Sequence, residues 1–140
     1  MAQITKSQIE SELQRLAEII VAQSNQLPTV DDNQDFARPN ISFSSDGTLY
    51  YEAYERGEQL FSIPAFDLEH LMFMTFKDTT FSMAVEHERM NRNTNEDFRR
   101  QLFAKQVELM RTLNSDWAER TQKEIDATLR TAPFNDELTA

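Results

Sequence analysis

The sequence contains no cysteine among its 140 residues. Disulfides, thiolate catalysis and cysteine-ligated metal sites are therefore excluded. Only two glycines are present and they stand apart from each other, so no glycine-rich loop is available to cradle a phosphate group. Apolar runs are short as well. The longest mainly apolar run, residues 71–76, falls far short of the roughly 20 residues that a membrane span needs.

Targeting signals are missing at the N-terminus. The first ten residues contain no charged region followed by an apolar one, so we expect no signal peptide. The absence of cysteine fits a reducing compartment. We therefore expect a cytoplasmic protein that does not associate with membranes.

Positive charge is scarce. The chain carries 14 basic and 24 acidic residues, which gives a net charge of −10. The imbalance is uneven, because residues 1–67 hold only four basic residues against eleven acidic ones. Such a half-chain is unsuited to nucleic acid, which requires a basic patch. It suits a basic protein partner, and it also keeps a protein in solution.

The N-terminal segment predicts an amphipathic helix. Thr5 and Gln8 fit a capping box, and Ile4 and Ile9 occupy the flanking hydrophobic-staple positions. Apolar residues then repeat at helical spacing. They are Ile9, Leu13, Leu16 and Ile20. We expect this helix to end near Gln23.

The following segment, residues 24–39, predicts a loop. Two prolines and an acidic run that begins at Asp31 interrupt any regular period. We expect the apolar side chains of the loop to pin it to the core. These are Leu27, Val30 and Phe36.

Alternating apolar residues predict a β-meander next. The residues around Ile41 and Phe43 form a first strand, and the Asp46-Gly47 pair favours a type I′ turn. Residues 49–56 alternate again, Gly57 permits a second turn, and residues 59–64 complete a third strand.

The rest of the chain predicts helices. Asp67 is a suitable N-cap for a helix that runs from Leu68 to about Arg92. Between 68 and 76 this helix is apolar on every side, as a buried helix is. Two further helices follow, with Thr94 or Asn95 as candidate caps for one, Ser115 for the other, and Pro133 as the end. The sequence thus predicts an α+β fold with an N-terminal helix, a three-stranded antiparallel β-meander and a C-terminal bundle of about three helices, in a single domain over residues 1–140.

Candidate chemistry is sparse. The chain has two histidines, and only His70 has a carboxylate three residues before it, Asp67. A di-iron bundle needs paired Glu-x-x-His motifs with further glutamates, so we expect neither a metal site nor a cofactor. No catalytic motif is present, and we expect no enzyme activity.

Glu86 and Glu88 form a second candidate pair. Their i, i+2 spacing points them to different sides of a helix, which argues against joint acid–base work. Glu86 falls near the azimuth of the buried stripe, so we expect it to be buried and paired with Arg99 or Arg100 in a structural ion pair.

The hairpin offers a candidate binding surface. Tyr50, Glu52, Tyr54 and Arg56 alternate with residues assigned to the core, and we name them the hairpin face. Tyrosine and arginine are enriched in binding hot spots. With the acidic loop residues they make the predicted partner-binding set. That set is Asp31, Asp32, Asp35, Tyr50, Glu52, Tyr54 and Arg56. The alternative is an ordinary solvated strand face.

Five segments in a fixed order carry a family resemblance. They are "DFARP" (35–39), "ERGEQL" (55–60), "TFSMAVEHERMNR" (80–92), "DFRRQLFAKQVELM" (97–110) and "LNSDWAER" (113–120). In this order and spacing the chain resembles the immunity protein 63 family of bacterial polymorphic toxin systems, over roughly residues 5–135. The resemblance implies a small, cytoplasmic, non-catalytic α+β protein that protects its own cell by binding a toxin. It transfers no toxin-contacting residues.

Two functions remain open from the sequence. The first is an immunity protein that binds and neutralises a cognate, basic toxin domain by stoichiometric occlusion. The second is a non-catalytic adaptor or chaperone-like module that uses the Met- and Phe-rich helix 68–76 as a groove, since methionine suits adaptable surfaces. Burial of Met72 and Met74 would exclude the second.

Overall fold

The computed structural model describes residues 3–139, and its elements follow the predicted order. The helices are α1 (Lys6–Ile20), α2 (Leu68–Met90), α3 (Phe98–Leu113) and α4 (Ser115–Thr131), and the strands are β1 (Thr29–Val30), β2 (Asn40–Phe43), β3 (Leu49–Glu55) and β4 (Glu58–Ala65). Short 3₁₀ turns occur at Ser24–Gln26 and Asp136–Thr139. The chain divides into two compact units, Met1–Thr75 and Phe76–Ala140, with the boundary inside α2. The expectation of a single domain stays a prediction.

The first unit contains a four-stranded mixed sheet in the order β1-β2-β3-β4. The predicted antiparallel meander is present as β2, β3 and β4. The prediction of three strands was incomplete, because β1 adds a parallel pair in which Thr29 and Val30 lie opposite Asn40 and Ile41. A two-residue strand has no alternation to detect. Whether it pairs with β2 depends on how the loop between the two strands, residues 31–39, folds back.

The first hairpin turn differs from the predicted type I′, and the second turn is present at Gly57 as predicted. Gly47 has φ +87° and Asp46 has no positive φ, so the β2–β3 connection is a type I turn followed by a left-handed glycine. Its closing hydrogen bond runs from Gly47 N to Ser44 O at 3.0 Å. The type I′ turn is instead at Arg56 (φ +54°) and Gly57 (φ +80°), between β3 and β4. A hydrogen bond from Ser44 lowers the pKa of Asp46 in the first turn to about 2.

Helix α1 forms as its sequence predicts. Thr5 and Gln8 make the reciprocal capping box, with Gln8 N donating to Thr5 Oγ1 at 3.1 Å and Thr5 N to Gln8 Oε1 at 2.8 Å. The helix ends at Ile20, three residues before the expected position, because Val21 adopts a left-handed conformation and closes it. Its apolar stripe is buried. The stripe consists of Ile9, Leu13, Leu16, Ala17 and Ile20.

The start of helix α2 is capped by Asp67 and His70. Asp67 Oδ1 accepts from His70 N at 2.8 Å, as the sequence predicts. His70 Nδ1 accepts from Phe66 N at 3.1 Å, so the candidate carboxylate–histidine pair serves as a helix cap. The six residues 71–76 are all buried, which confirms the prediction of a helix enclosed on every side.

In the second unit, helices α3 and α4 contact each other. Their caps differ from the predicted ones. Asp97, and neither Thr94 nor Asn95, caps α3. Asn114 caps α4 by accepting from the two N–H groups that follow Ser115. Asp97 and Asn114 each occupy the position immediately before the first helical residue, from which a side chain reaches the free N–H groups of the first turn.

The buried glutamate of α2 is Glu88, so the prediction for Glu86 was wrong. Glu86 is exposed and pairs with Arg89 at 2.8 Å. Glu88 is only 3% exposed and accepts two hydrogen bonds from Arg92, at 3.0 and 2.7 Å. The prediction started from the azimuth of Leu68, which is itself only half-buried, so that azimuth did not mark the buried side of the helix at residue 86.

Asp97 is the centre of a polar cluster that ties the C-terminal segment to α3. Its carboxylate accepts from Arg99 Nη2 at 2.8 Å and from the backbone N–H groups of Arg99 and Asn135 at 3.0 and 2.9 Å. Arg99 in turn donates to the carbonyls of Ala132 and Pro133 at 2.9 and 2.8 Å. The cluster therefore supplies hydrogen bonds to backbone groups that no helix satisfies.

A second ion pair supports the same segment. Asp136 accepts from the Asp97 N–H and from Arg100 Nε, both at 2.9 Å. The Arg100 guanidinium lies 4.3 Å from the centre of the Phe134 ring, a cation–π distance. Hydrogen bonds from Arg99 and from Arg100 lower the pKa of Asp97 and of Asp136, respectively.

We predict that Asp97→Ala lowers the free energy of unfolding by about 3 kcal/mol, because it removes a helix cap and leaves a partly buried guanidinium unpaired. Urea denaturation measures the change. Asp126→Ala is the matched control, since this aspartate is exposed on α4 and we expect a change below about 0.5 kcal/mol. Equal effects of the two substitutions would contradict the role of Asp97.

We also predict an acid-sensitive stability that depends on Asp97. Its pKa and that of Asp136 are lower in the folded protein than in the unfolded chain. Their contribution is therefore complete above about pH 5 and is lost as the pH falls toward the folded-state values. Denaturation at several pH values between 7 and 2.5 should show this loss, and Asp97→Asn should flatten the curve. A variant that keeps the wild-type slope would refute this origin.

Candidate partner-binding site

Part of the hairpin face lies where the sequence placed it. Tyr50, Glu52 and Tyr54 are half-buried on β3, while the residues that alternate with them are buried. Those buried residues are Leu49, Tyr51 and Ala53. Arg56 does not share this face, because β3 ends at Glu55 and Arg56 is part of the turn.

The acidic loop is fixed to the edge of the sheet. Asn40, which is 2% exposed, accepts from Thr29 Oγ1 at 2.7 Å and from Asp32 N at 3.0 Å. Asp31 N donates to Ile41 O at 2.7 Å. These bonds hold the backbone of the loop and leave the side chains of Asp31 and Asp32 exposed.

Farther along, the loop is bound to the β3–β4 turn. The Asp35 carboxylate accepts from Gly57 N, with distances of 3.0 and 2.9 Å to its two oxygens. Ala37 N donates to Tyr54 O at 2.7 Å, and between them Phe36 forms an antiparallel bridge with Glu55. The loop therefore pairs with the end of β3, and β2 pairs with the earlier residues of the same strand. As a result, Asp35 lies next to the turn that contains Arg56.

The prediction for Phe36 was wrong. This residue was expected to pin the loop to the core, and its side chain is 83% exposed. Val30 and Leu27 do what was expected, being buried and half-buried respectively. An isolated phenylalanine in a polar loop is usually buried, and no local pattern signals the exception. The exposure depends on how the loop lies against Glu55 of β3, and the sequence does not show that pairing.

We call this part of the first unit the loop–turn surface. It consists of the loop residues 31–37 and the turn residues 55–58, which are held together by the bond between Asp35 and Gly57 and by the bridge between Phe36 and Glu55. Tyr54 borders it through the hydrogen bond with Ala37. Tyr50 and Glu52 lie farther along β3, opposite Pro64 and Ser62 of β4. The predicted binding set therefore divides into a loop–turn part and a strand part.

The backbone of the loop–turn surface is strained. Among residues 3–139, four of the five non-glycine residues with positive φ are located there, namely Asp31, Asp35, Ala37 and Arg56. A left-handed conformation costs on the order of 1 kcal/mol for such residues, although aspartate tolerates it better than alanine or arginine does. The hydrogen bonds described above hold these residues in place.

Like charges face each other across the turn. Glu55 and Glu58 are direct partners in the register of β3 and β4, an arrangement that destabilises a sheet. Asp35 is close by through its bond to Gly57. The region has two basic residues, Arg56 and Arg38. Arg38 donates to the carbonyls of Ser24 and Leu27 and is thereby directed toward the start of the loop. The surface therefore presents mainly negative charge.

Other predicted features can be placed as well. Met72 and Met74 are 2% and 9% exposed, so the interpretation of helix 68–76 as an open adaptor groove was wrong. Within residues 3–139, no group of three or more histidine, aspartate or glutamate side chains is arranged to hold a metal ion. None of the helices in that range combines the length and apolar character of a membrane span.

The sequence matches one known protein family over most of its length. The sequence profile of immunity protein 63 matches residues 45–127, more than half of the 140 residues. The chain belongs to the immunity protein 63 family. The match includes Tyr50, Glu52, Tyr54 and Arg56 and begins after the acidic loop, so it is narrower than the resemblance over residues 5–135. No curated protein and no solved structure matches the chain.

Membership of the immunity protein 63 family confirms the predicted class. The chain is an immunity protein by family. Members of this family are generally non-catalytic and have a toxin as partner. Over residues 3–139 the fold is mixed α+β, with four α-helices and a four-stranded sheet.

We predict that Asp35→Ala loosens the loop–turn surface without unfolding the protein. The Gly57 amide should exchange its hydrogen roughly 10-fold faster, because a hydrogen bond to a charged acceptor contributes about 1.5 kcal/mol. Amide exchange followed by NMR measures this. Asp32→Ala is the control, since its carboxylate is exposed and the loop uses its N–H group instead. Unchanged hydrogen exchange at Gly57 in the Asp35 variant would show that the bond between Asp35 and Gly57 does not hold the loop against the turn.

Proposed function

We propose that this member of the immunity protein 63 family neutralises one cognate toxin by binding it stoichiometrically in the cytoplasm and covering a surface that the toxin needs. The family match carries this proposal. We also propose that residues 1–140 act together as one immunity domain, with no cofactor.

The proposed contact surface is the predicted binding set, which includes the hairpin face and the acidic loop. Its exposed carboxylates favour a basic toxin surface, since opposite charge speeds association and excludes unsuitable partners. If the toxin acts on nucleic acid, its substrate groove must itself be basic. An acidic protein surface would then compete for the site that the substrate uses.

Co-expression with the toxin domain encoded beside this gene tests the proposal. We expect growth to be restored and a tagged pull-down to recover a one-to-one complex. Growth without a complex would contradict occlusion and favour reversal of the damage. If growth is not restored and no complex is recovered, immunity toward that toxin is contradicted.

We predict that Tyr54→Ala and Glu52→Lys each weaken toxin binding about 10-fold, a typical loss for an interface residue of moderate importance. Both side chains are half-buried on β3 and lie outside the fully buried core, so both variants should stay folded. Titration calorimetry with an inactive toxin variant measures the affinity.

Glu119→Lys is the control for that pair of variants. It makes the same charge reversal at an exposed position of α4, and we expect an affinity within about twofold of wild type. Wild-type affinity in both hairpin variants would remove the strand part from the proposed surface.

A further inference from the structure

The loop–turn surface holds its most apolar side chain in solvent. Phe36 is 83% exposed, although burial of a phenylalanine is among the larger apolar contributions to folding. The same loop does bury Val30, at 9% exposure. The loop can therefore reach the core, and the exposure of Phe36 is specific to its position.

The position of Phe36 is fixed on both sides. Asp35 is bound to Gly57, Ala37 is bound to Tyr54, and the Phe36 backbone bridges Glu55. Asp35 and Ala37 both have positive φ, so two left-handed residues flank the phenylalanine. A loop held in this way loses little backbone freedom when a partner binds the side chain that it presents.

The charge around Phe36 indicates the chemistry of that partner. Glu55 lies directly opposite it, Glu58 lies opposite Glu55, and Asp35 precedes it. A partner that brings basic side chains to the rim of an apolar pocket would relieve the repulsion between Glu55 and Glu58. Its cations could also approach the face of the ring.

A second exposed phenylalanine shows what distinguishes this one. Phe66 is 87% exposed, but its ring stacks on His70 with 4.7 Å between ring centres. It follows Ala65, which pairs with Leu49 at the start of β3, whereas Phe36 pairs with Glu55 at the end. The two phenylalanines thus belong to opposite ends of the sheet.

We propose that Phe36 is the aromatic anchor of the toxin contact and inserts into an apolar pocket of the toxin that has a basic rim. The proposal rests on the proposed immunity function and moves the centre of the contact from the strand face to the end of the sheet. Aromatic anchors of this kind account for most of the binding energy in many interfaces.

The test measures the affinity of full-length variants for an inactive form of the neighbouring toxin domain. Phe36→Ala should bind about 30-fold more weakly, while Phe36→Trp should stay within about threefold of wild type. Phe66→Ala is the matched control and should also stay within about threefold. Thermal melts should confirm that all three variants fold, since both phenylalanines are exposed.

Phe36→Trp supplies a second readout. The native Trp117 is 4% exposed, so the new tryptophan should add a solvent-exposed emission that shifts to the blue and resists acrylamide quenching when the toxin binds. No shift on complex formation would overturn the anchor.

The remaining outcomes separate this inference from the proposed function. If wild type binds the toxin and Phe36→Ala binds equally well, the anchor is wrong and the immunity function stands. An equal loss in Phe66→Ala would also overturn the assignment to the loop–turn surface. If wild type neither binds nor protects, the proposed function fails and the anchor fails with it.

Discussion

The left-handed turn at Arg56 and Gly57 is the constraint on which the candidate site depends. It closes the β3–β4 hairpin at the pair of Glu55 and Glu58 and presents the Gly57 N–H to the carboxylate of Asp35. That bond holds the preceding loop against the end of β3, where Phe36 can pair with Glu55. A different turn would change the register and separate the loop from the hairpin, because one residue of slip reverses the faces of a strand.

Several features at this end of the sheet lower the stability of the isolated protein. Left-handed arginine and alanine residues, opposed glutamates and an exposed phenylalanine are each unfavourable by themselves. Backbone strain concentrates at functional sites in folded proteins. The second unit shows the contrast, since its charged groups Asp97, Arg99, Arg100 and Asp136 are satisfied internally and stabilise the chain. This contrast supports the proposal that the contact surface lies in the first unit.

Local patterns predicted much of this architecture. The capping box, the strand alternation and the turn at Gly57 were all found from short segments, because each depends on neighbouring residues. The strand Thr29–Val30, the left-handed Arg56, the burial of Glu88 and the exposure of Phe36 were missed. Each of these depends on which distant segments meet, or on an exact helical phase. The acidic character of the loop was evident from the sequence, whereas the exposure of Phe36 was not.

Hydrogen exchange of the protein alone and in complex with its inactive toxin tests the central claim most directly. If the toxin is occluded by the loop–turn surface, new protection should concentrate at the amides of residues 31–37 and 54–59. Protection confined to α3 and α4, with the loop and turn exchanging as in the free protein, would contradict the account.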